Sequence, residues 1–257
     1  MARTASDTPF GPWVSPYRPR SEARFCLFCL SHAGAGASTY RSWLNALPPE
    51  ILVCPVQLPG REQRLREPAF TSVAVLVAAL SEVLRSYREL PFAIYGHSMG
   101  ALLAFELARQ LRRTGGAQQK ALFVSGRRAP QLPEQAAPIH QLPDDLFLRE
   151  LTRMNGMQAE LLDSTEFMEI MLPTIRADFE LCETYRYLPE APLNCSITAF
   201  GGLADPLAES TEIDRWREQT TSGFSSQMLP GGHFFIQTAR ADLLQLLRQE
   251  LRLIMAG

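Results

Sequence analysis

The stretch Phe92-Ala93-Ile94-Tyr95-Gly96-His97-Ser98-Met99-Gly100 decides the fold. A short apolar run, Phe92–Tyr95, ends at Gly96, and a helical pattern begins directly after Ser98, so the segment reads as strand, sharp turn, helix. Within it, Gly96 to Gly100 fits G-x-S-x-G. A serine on such a turn sits in strained backbone geometry, and the flanking positions must be nearly free of side chain for the neighbouring elements to close on it. The helix start then directs free N–H groups and the positive end of its dipole at the serine oxygen and at any oxyanion forming beside it. Ser98 is therefore the candidate nucleophile. The pentapeptide alone is a weak signal, and the strand before it and the helix after it give it weight.

Outward from this turn, short apolar runs alternate with longer helical patterns. Candidate strands are Phe25–Leu30, Ile51–Val56, Ala121–Ser125 and Ser196–Phe200, with a weaker one at Ser226–Leu229. Leu76, Leu80, Val83, Leu84 and Tyr87 recur at helical spacing, so Ser72 to Glu89 reads as an amphipathic helix opened by a Thr/Ser cap. Met99–Arg113 reads as a second helix that stops at Thr114-Gly115-Gly116, and Leu243–Ile254 as a closing one. This rhythm predicts an α/β chain with a mostly parallel central sheet covered by helices on both faces. The interval from about 129 to 192 breaks it: no strand pattern, several helical ones, and prolines at 130, 133, 138, 143 and 173. It reads as an insertion whose many Met, Leu and Phe residues bury it against the sheet, line a substrate site, or both.

The chain has 257 residues, 46% of them apolar and 20% charged, with a formal net charge of −2. That excludes disorder and fibrous classes, and it argues against bulk binding to nucleic acid or anionic membranes, which needs a large surplus of Lys and Arg. Positive charge is almost all arginine; Lys120 is the only lysine. Five cysteines, mostly inside apolar strand-like runs, predict neither a disulfide framework nor a metal site: Cys26 and Cys29 form C-x-x-C, but no second Cys/His pair has zinc spacing. The stretch 1–20 carries four prolines and no apolar core of a secretory signal, so a loose arm on a cytoplasmic protein is expected. Val73–Leu84 is too short to span a bilayer.

A serine nucleophile needs a base, and the hydrolase chain order puts an acid and then a histidine downstream of it. Of four histidines, His32 and His97 precede Ser98 and His140 opens the insertion. His233, in Pro230-Gly231-Gly232-His233-Phe234-Phe235, follows the weak last strand and is the candidate base. Asp205 follows the strand Ser196–Phe200 and is the candidate acid, with Asp163, Asp178 and Asp214 as rivals. An oxyanion hole needs two converging N–H donors. Met99 supplies one, and Ala33, in the small-residue loop Ser31-His32-Ala33-Gly34-Ala35-Gly36 after the first strand, is assigned the second. That loop lacks both G-x-G-x-x-G and a Walker lysine, which argues against a nucleotide site.

These residues, together with Tyr40-Arg41-Ser42-Trp43, Val56-Gln57-Leu58-Pro59-Gly60-Arg61-Glu62, Leu172-Pro173, Arg176-Ala177-Asp178-Phe179 and Glu183-Thr184-Tyr185-Arg186-Tyr187, resemble the type II thioesterases that accompany polyketide synthases and non-ribosomal peptide synthetases. The block Gln57–Glu62 is far more specific than the elbow, which esterases and lipases share. Ser31, where the family usually has proline, and Ala35, where a small glycine is common, are the departures.

The resemblance implies an α/β-hydrolase domain over 24–257 behind a flexible arm 1–23, with a helical lid at about 129–192. It implies hydrolysis of stalled or wrongly primed acyl groups from the phosphopantetheine arm of acyl or peptidyl carrier proteins. That arm arrives on the substrate, so no cofactor is expected, and a monomer is expected. Carrier proteins are typically acidic, so Arg127 and Arg128 are docking candidates, and Arg61, Arg64 and Arg66 form a second arginine group. Competing readings are a free-standing esterase on small esters and a catalytically silent interaction protein.

Overall fold

The computed structural model describes residues 10–15, 20–85, 90–115, 119–133, 136–154 and 165–256. Among them the sheet has six strands: β1 Phe25–Leu30, β2 Ile51–Pro55, β3 Phe92–His97, β4 Ala121–Ser125, β5 Ser196–Gly202 and β6 Phe224–Leu229. Their order is β2-β1-β3-β4-β5-β6 and every neighbouring pair runs parallel. The helices are α1 Val73–Arg85, α2 Met99–Arg113, α3 Asp144–Arg153, α4 Thr165–Glu183, α5 Ser210–Asp214, α6 Phe235–Thr238 and α7 Arg240–Ala256.

The unbroken apolar runs of the inner strands follow from burial on both faces. Along β1 the side chains alternate: Cys26, Phe28 and Leu30 join the core under α1 and α2, while Phe25, Leu27 and Cys29 join the core under α7 and Tyr40, Trp43 and Leu44. Both cysteines of the C-x-x-C motif are thus buried in separate layers, and Cys26 Sγ meets Cys54 Sγ at 3.1 Å. The weak pattern of β6 has a physical cause: it is an edge strand, and only Leu229 of its six residues is fully buried.

Because β2 and β3 lie on opposite sides of β1, the chain reverses its winding between β1 and β3. Crevices open at such reversals, at the carboxyl ends of the strands. The loop after β1 and the turn after β3 both end there.

Residues 10–15 depart from the expected loose arm. Val14 bridges Val56 antiparallel, Ser15 N–H donates to Pro55 O at 3.1 Å, and Gln57 N–H donates to Trp13 O at 2.8 Å. Phe10 is 3% exposed, packed edge-on to Phe28 at 5.3 Å between ring centroids, and Arg64 lies over the Trp13 ring at 4.2 Å. Two apolar anchors spaced by four residues hold a proline-rich segment that composition alone marks as a linker. Residues 1–9 and 16–19 of the arm lie outside the described residues. Phe10→Ala is expected to lower the unfolding free energy by about 3 kcal/mol, the usual cost of emptying a buried phenylalanine site. Urea denaturation of the two proteins checks it, and a loss under about 0.5 kcal/mol, the size of an ordinary surface substitution, means the segment is loose after all.

Candidate active site

Ser98 lies between β3 and α2 with φ +54° and ψ −114°, one of two non-glycine residues with positive φ among those described. The flanking glycines make this possible. A Cβ on Gly96 would sit 2.0 Å from Gly100 O, and one on Gly100 would sit 2.1 Å from Leu30 O. The turn therefore presses directly on the end of β1, and Ser98 N–H is fixed by Ser125 O of β4 at 2.8 Å. Strand, turn and helix fall where the sequence puts them, except that β3 extends to His97.

The turns after β5 and β6 bring the other two residues over. A Cβ on Gly202 would sit 2.5 Å from Gly232 O, so the two turns meet backbone to backbone, and Ala204 N–H donates to Gly231 O at 2.9 Å. This contact sets Asp205 against His233. His233 Nδ1 and Asp205 Oδ2 are 2.9 Å apart, His233 Nε2 and Ser98 Oγ 3.0 Å apart. Asp205 Oδ1 accepts from Leu207 N–H at 2.9 Å, which fixes the carboxylate, and Asp205 is 5% exposed. The imidazole thus donates from Nδ1 to the carboxylate and presents Nε2 as the acceptor for the serine hydroxyl.

The rivals are placed elsewhere. His140 pairs through Nδ1 with Glu183, Asp214 accepts from Ser226 Oγ at 2.6 Å, and Asp163 lies outside the described residues. Asp178 is buried against Arg61, with Nη1 to Oδ2 at 2.7 Å and Nη2 to Oδ1 at 2.8 Å. Of the two predicted oxyanion donors, Met99 opens α2 and Ala33 lies in the loop against the elbow. Neither N–H donates to another described backbone group.

Ser98 and His233 line a cavity of about 180 Å³ together with Arg127, Met154, Phe179 and Leu207. A neighbouring cavity of about 430 Å³ is lined by Tyr185, Arg186 and Tyr187, and Arg127, Arg128, Ala136, Cys182 and Glu183 border both. The arginine expectations divide here. Arg127 borders both cavities, but Arg128 is ion-paired with Glu212 at 3.0 Å. Arg61 and Arg64 are 2% and 7% exposed and held by Asp178 and Glu67, so they form no surface patch. Only Arg66 of that group is exposed.

Sequence reasoning assigned nothing to His32 or His97, which pack beside His233. The rings of His97 and His233 are 5.3 Å apart, and those of His32 and His97 are 5.7 Å apart. His97 Nδ1 meets Ser125 Oγ at 2.9 Å, while His97 Nε2 and His32 Nδ1 are buried without a partner among the described residues. Burial, then the nearby His233 and Arg61, pushes the His32 imidazole down to about 3; burial, then His233 and His32, pushes His97 well below the ordinary range. The one available signal was that His32 and His97 each adjoin a site loop.

Fold and relay together define an α/β-hydrolase of the serine type. The chain belongs to the thioesterase family: residues 25–251 match the family model described as Thioesterase domain. It is 42% identical over 248 residues to linear gramicidin dehydrogenase LgrE of Brevibacillus parabrevis, covering 95% of this chain and 94% of that one. It is also 42% identical over 244 residues to gramicidin S biosynthesis protein GrsT of Aneurinibacillus migulanus, with 95% of each covered. Among solved structures, the type II thioesterase BorB from the borrelidin biosynthetic cluster superimposes with a TM-score of 0.86 at 35% identity, covering 98% and 99%.

A histidine held neutral in the folded protein gives stability a definite dependence on pH. Below about 6.5 the unfolded chain takes up a proton that the folded His32 refuses until about 3, so stability falls on acidification through that window. The slope is at most about 1.4 kcal/mol per pH unit for each such group. The His32→Gln variant is expected to lose stability less steeply between pH 6.5 and 4, as read from denaturant midpoints. Parallel slopes would mean that His32 is protonated in the folded protein.

Proposed function

We propose that this protein hydrolyses acyl thioesters held on the phosphopantetheine arm of acyl or peptidyl carrier proteins, removing stalled or wrongly primed groups during polyketide or non-ribosomal peptide assembly. One observation carries the reading: a Ser98–His233–Asp205 relay at bonding distance faces a cavity in a chain of the thioesterase family. The biosynthetic names of its relatives support the carrier-bound substrate.

In the proposed cycle Ser98 Oγ attacks the thioester carbonyl carbon as its proton passes to His233 Nε2, and Asp205 stabilises the resulting imidazolium. The carbonyl oxygen, now an oxyanion, is held by the N–H groups of Met99 and Ala33. Collapse breaks the C–S bond, and the leaving sulfur takes the proton from His233. Water then attacks the acyl-serine with His233 again as base, and the carboxylic acid leaves. The protein supplies every group in this cycle, so no cofactor of its own is invoked.

The two adjoining cavities give the substrate a path in which the acyl group lies beside Ser98 and the arm runs past Arg127. The helices α3 and α4 form the proposed lid over this path. Arg127, and Arg128 once released from Glu212, are the proposed contacts to an acidic carrier. A monomer acting in the cytoplasm fits this role, and no described helix is long and apolar enough to cross a membrane.

Ser98→Ala is expected to lower kcat by about 10⁴-fold or more on an acyl carrier substrate. The wild-type protein is expected to show a higher kcat/KM on acyl carrier than on acyl-CoA or a simple ester. Equal values on all three point to a free-standing esterase, and failure of a fluorophosphonate to label Ser98 points to a silent scaffold. Charge reversal at Arg127 and Arg128 is expected to raise KM for the carrier substrate alone; an unchanged KM removes the docking role.

A further inference from the structure

The loop carrying Ala33 is held from two sides, and one of its holders lies 144 residues further along the chain. The polar residues of Gln57–Glu62 grip it first. Gln57 Oε1 accepts from Ala37 N–H at 3.3 Å, Arg61 Nη1 donates to Ala35 O at 3.2 Å, and Glu62 Oε1 accepts from Ser38 N–H at 3.1 Å. Glu62 also fills the space where a Cβ on Gly36 would lie, 2.4 Å from its side chain. From the other side comes Asp178 of α4. Its Oδ2 accepts from Gly34 N–H at 2.7 Å, and its two oxygens clamp the Arg61 guanidinium. Gly34 has φ +76°, and a Cβ there would sit 3.0 Å from Ile175 of α4, so the helix rests directly on the loop.

We propose that Asp178 is a positioning residue for the oxyanion hole: by holding Gly34 N–H and aligning Arg61 on Ala35 O, it fixes the orientation of the Ala33 N–H. The inference rests on the reading of Ala33 as an oxyanion donor. The residue next to Ala33 is bonded to Asp178 itself, and the one after it is bonded to Asp178's ion partner. These bonds fix two of the peptides that follow Ala33, one through its donor and one through its acceptor, and Ala35 N–H donates to His32 O at 3.2 Å, which ties the peptide bearing the Ala33 N–H to the same turn. Asp178 is 1% exposed and Arg61 2%, so the ion pair itself is shielded from water. Asp178 belongs to the β4–β5 connection and not to the sheet, so the hole is complete only while α4 is seated on the loop.

A purely structural ion pair predicts a different result, and replacing both partners separates the two. Asp178→Ala strands a buried guanidinium and can lower stability by itself; Arg61→Met with Asp178→Leu removes both charges and keeps the volume. The double variant is expected to fold with a circular-dichroism spectrum like that of the parent. Its kcat on a small acyl thioester should fall about 10²-fold, the scale for a misplaced or missing oxyanion donor, with KM changed less than about threefold. Affinity for a trifluoromethyl ketone, whose serine adduct bears the oxyanion, should fall with kcat/KM, whereas affinity for a non-hydrolysable thioether analogue should hold. Parental kcat and ketone affinity in the folded double variant overturn the proposal, as does a fall confined to KM. Ala33→Pro, which deletes the N–H, tests the underlying reading separately. If Ala33→Pro retains full kcat, Ala33 is not the donor; if it is slow while the double variant is not, Ala33 stands and Asp178 has no positioning role.

Discussion

The contact on which the site depends is backbone against backbone, where Gly100 meets the end of β1. Leu30 O lies 2.1 Å from where any Cβ at position 100 would be, and Gly100 O lies 2.0 Å from a Cβ at 96. No side chain fits either place, and the resulting closeness forces Ser98 to positive φ. That strain costs on the order of 1–3 kcal/mol and persists because the parallel pairing of β3 with β1 and β4 over-determines the turn. The same contact puts the loop after β1 beside the serine. Ser98 and the loop carrying Ala33 are thus positioned by one steric fact, and the Gly202–Gly232 contact repeats the device for Asp205 and His233.

The buried Arg61–Asp178 pair is best understood as a constraint on geometry. Taking two charges out of water costs several kcal/mol per ion after relaxation, and well-packed apolar residues of similar volume often serve stability as well or better. What an apolar pair lacks is direction. A guanidinium fork against a carboxylate is bidentate, with both distances here under 3 Å, and leaves a third N–H for Ala35 O and a carboxylate lone pair for Gly34 N–H. The pair therefore turns the position of a helix into the orientation of two peptide groups.

The same pair marks the limit of what could be read from sequence. Strands β1 to β5, the elbow and α2 were legible because each is written in local periodicity, and His233 and Asp205 because chain order and strand ends leave few choices. Residues 61 and 178 are separated by 117 positions with no spacing rule to join them. Charge pattern presents Arg61 and Arg64 as surface cations, since composition does not reveal which arginines are buried. Likewise Phe10 and Val14 sit among prolines that signal a linker, and their anchoring depends on a hydrophobic site on the core that only the folded sheet creates.

Electrostatics around the relay follows from three imidazoles packed beside a single carboxylate. His32, His97 and His233 form a chain with ring separations of 5.7 and 5.3 Å, but only His233 faces a carboxylate, 2.9 Å from Nδ1. Burial withholds from the other two the solvation a cation needs, and His233 disfavours charge on both, with Arg61 adding to this at His32 and His32 at His97. In the proposed cycle a proton leaving Ser98 therefore has one place to go where it is compensated. His97 could not take this role despite adjoining the serine in sequence, because its Nδ1 is held by Ser125 Oγ, a neutral partner that does not offset a charge. The relay is selected by where the carboxylate lies, and that in turn by the meeting of the β5 and β6 turns.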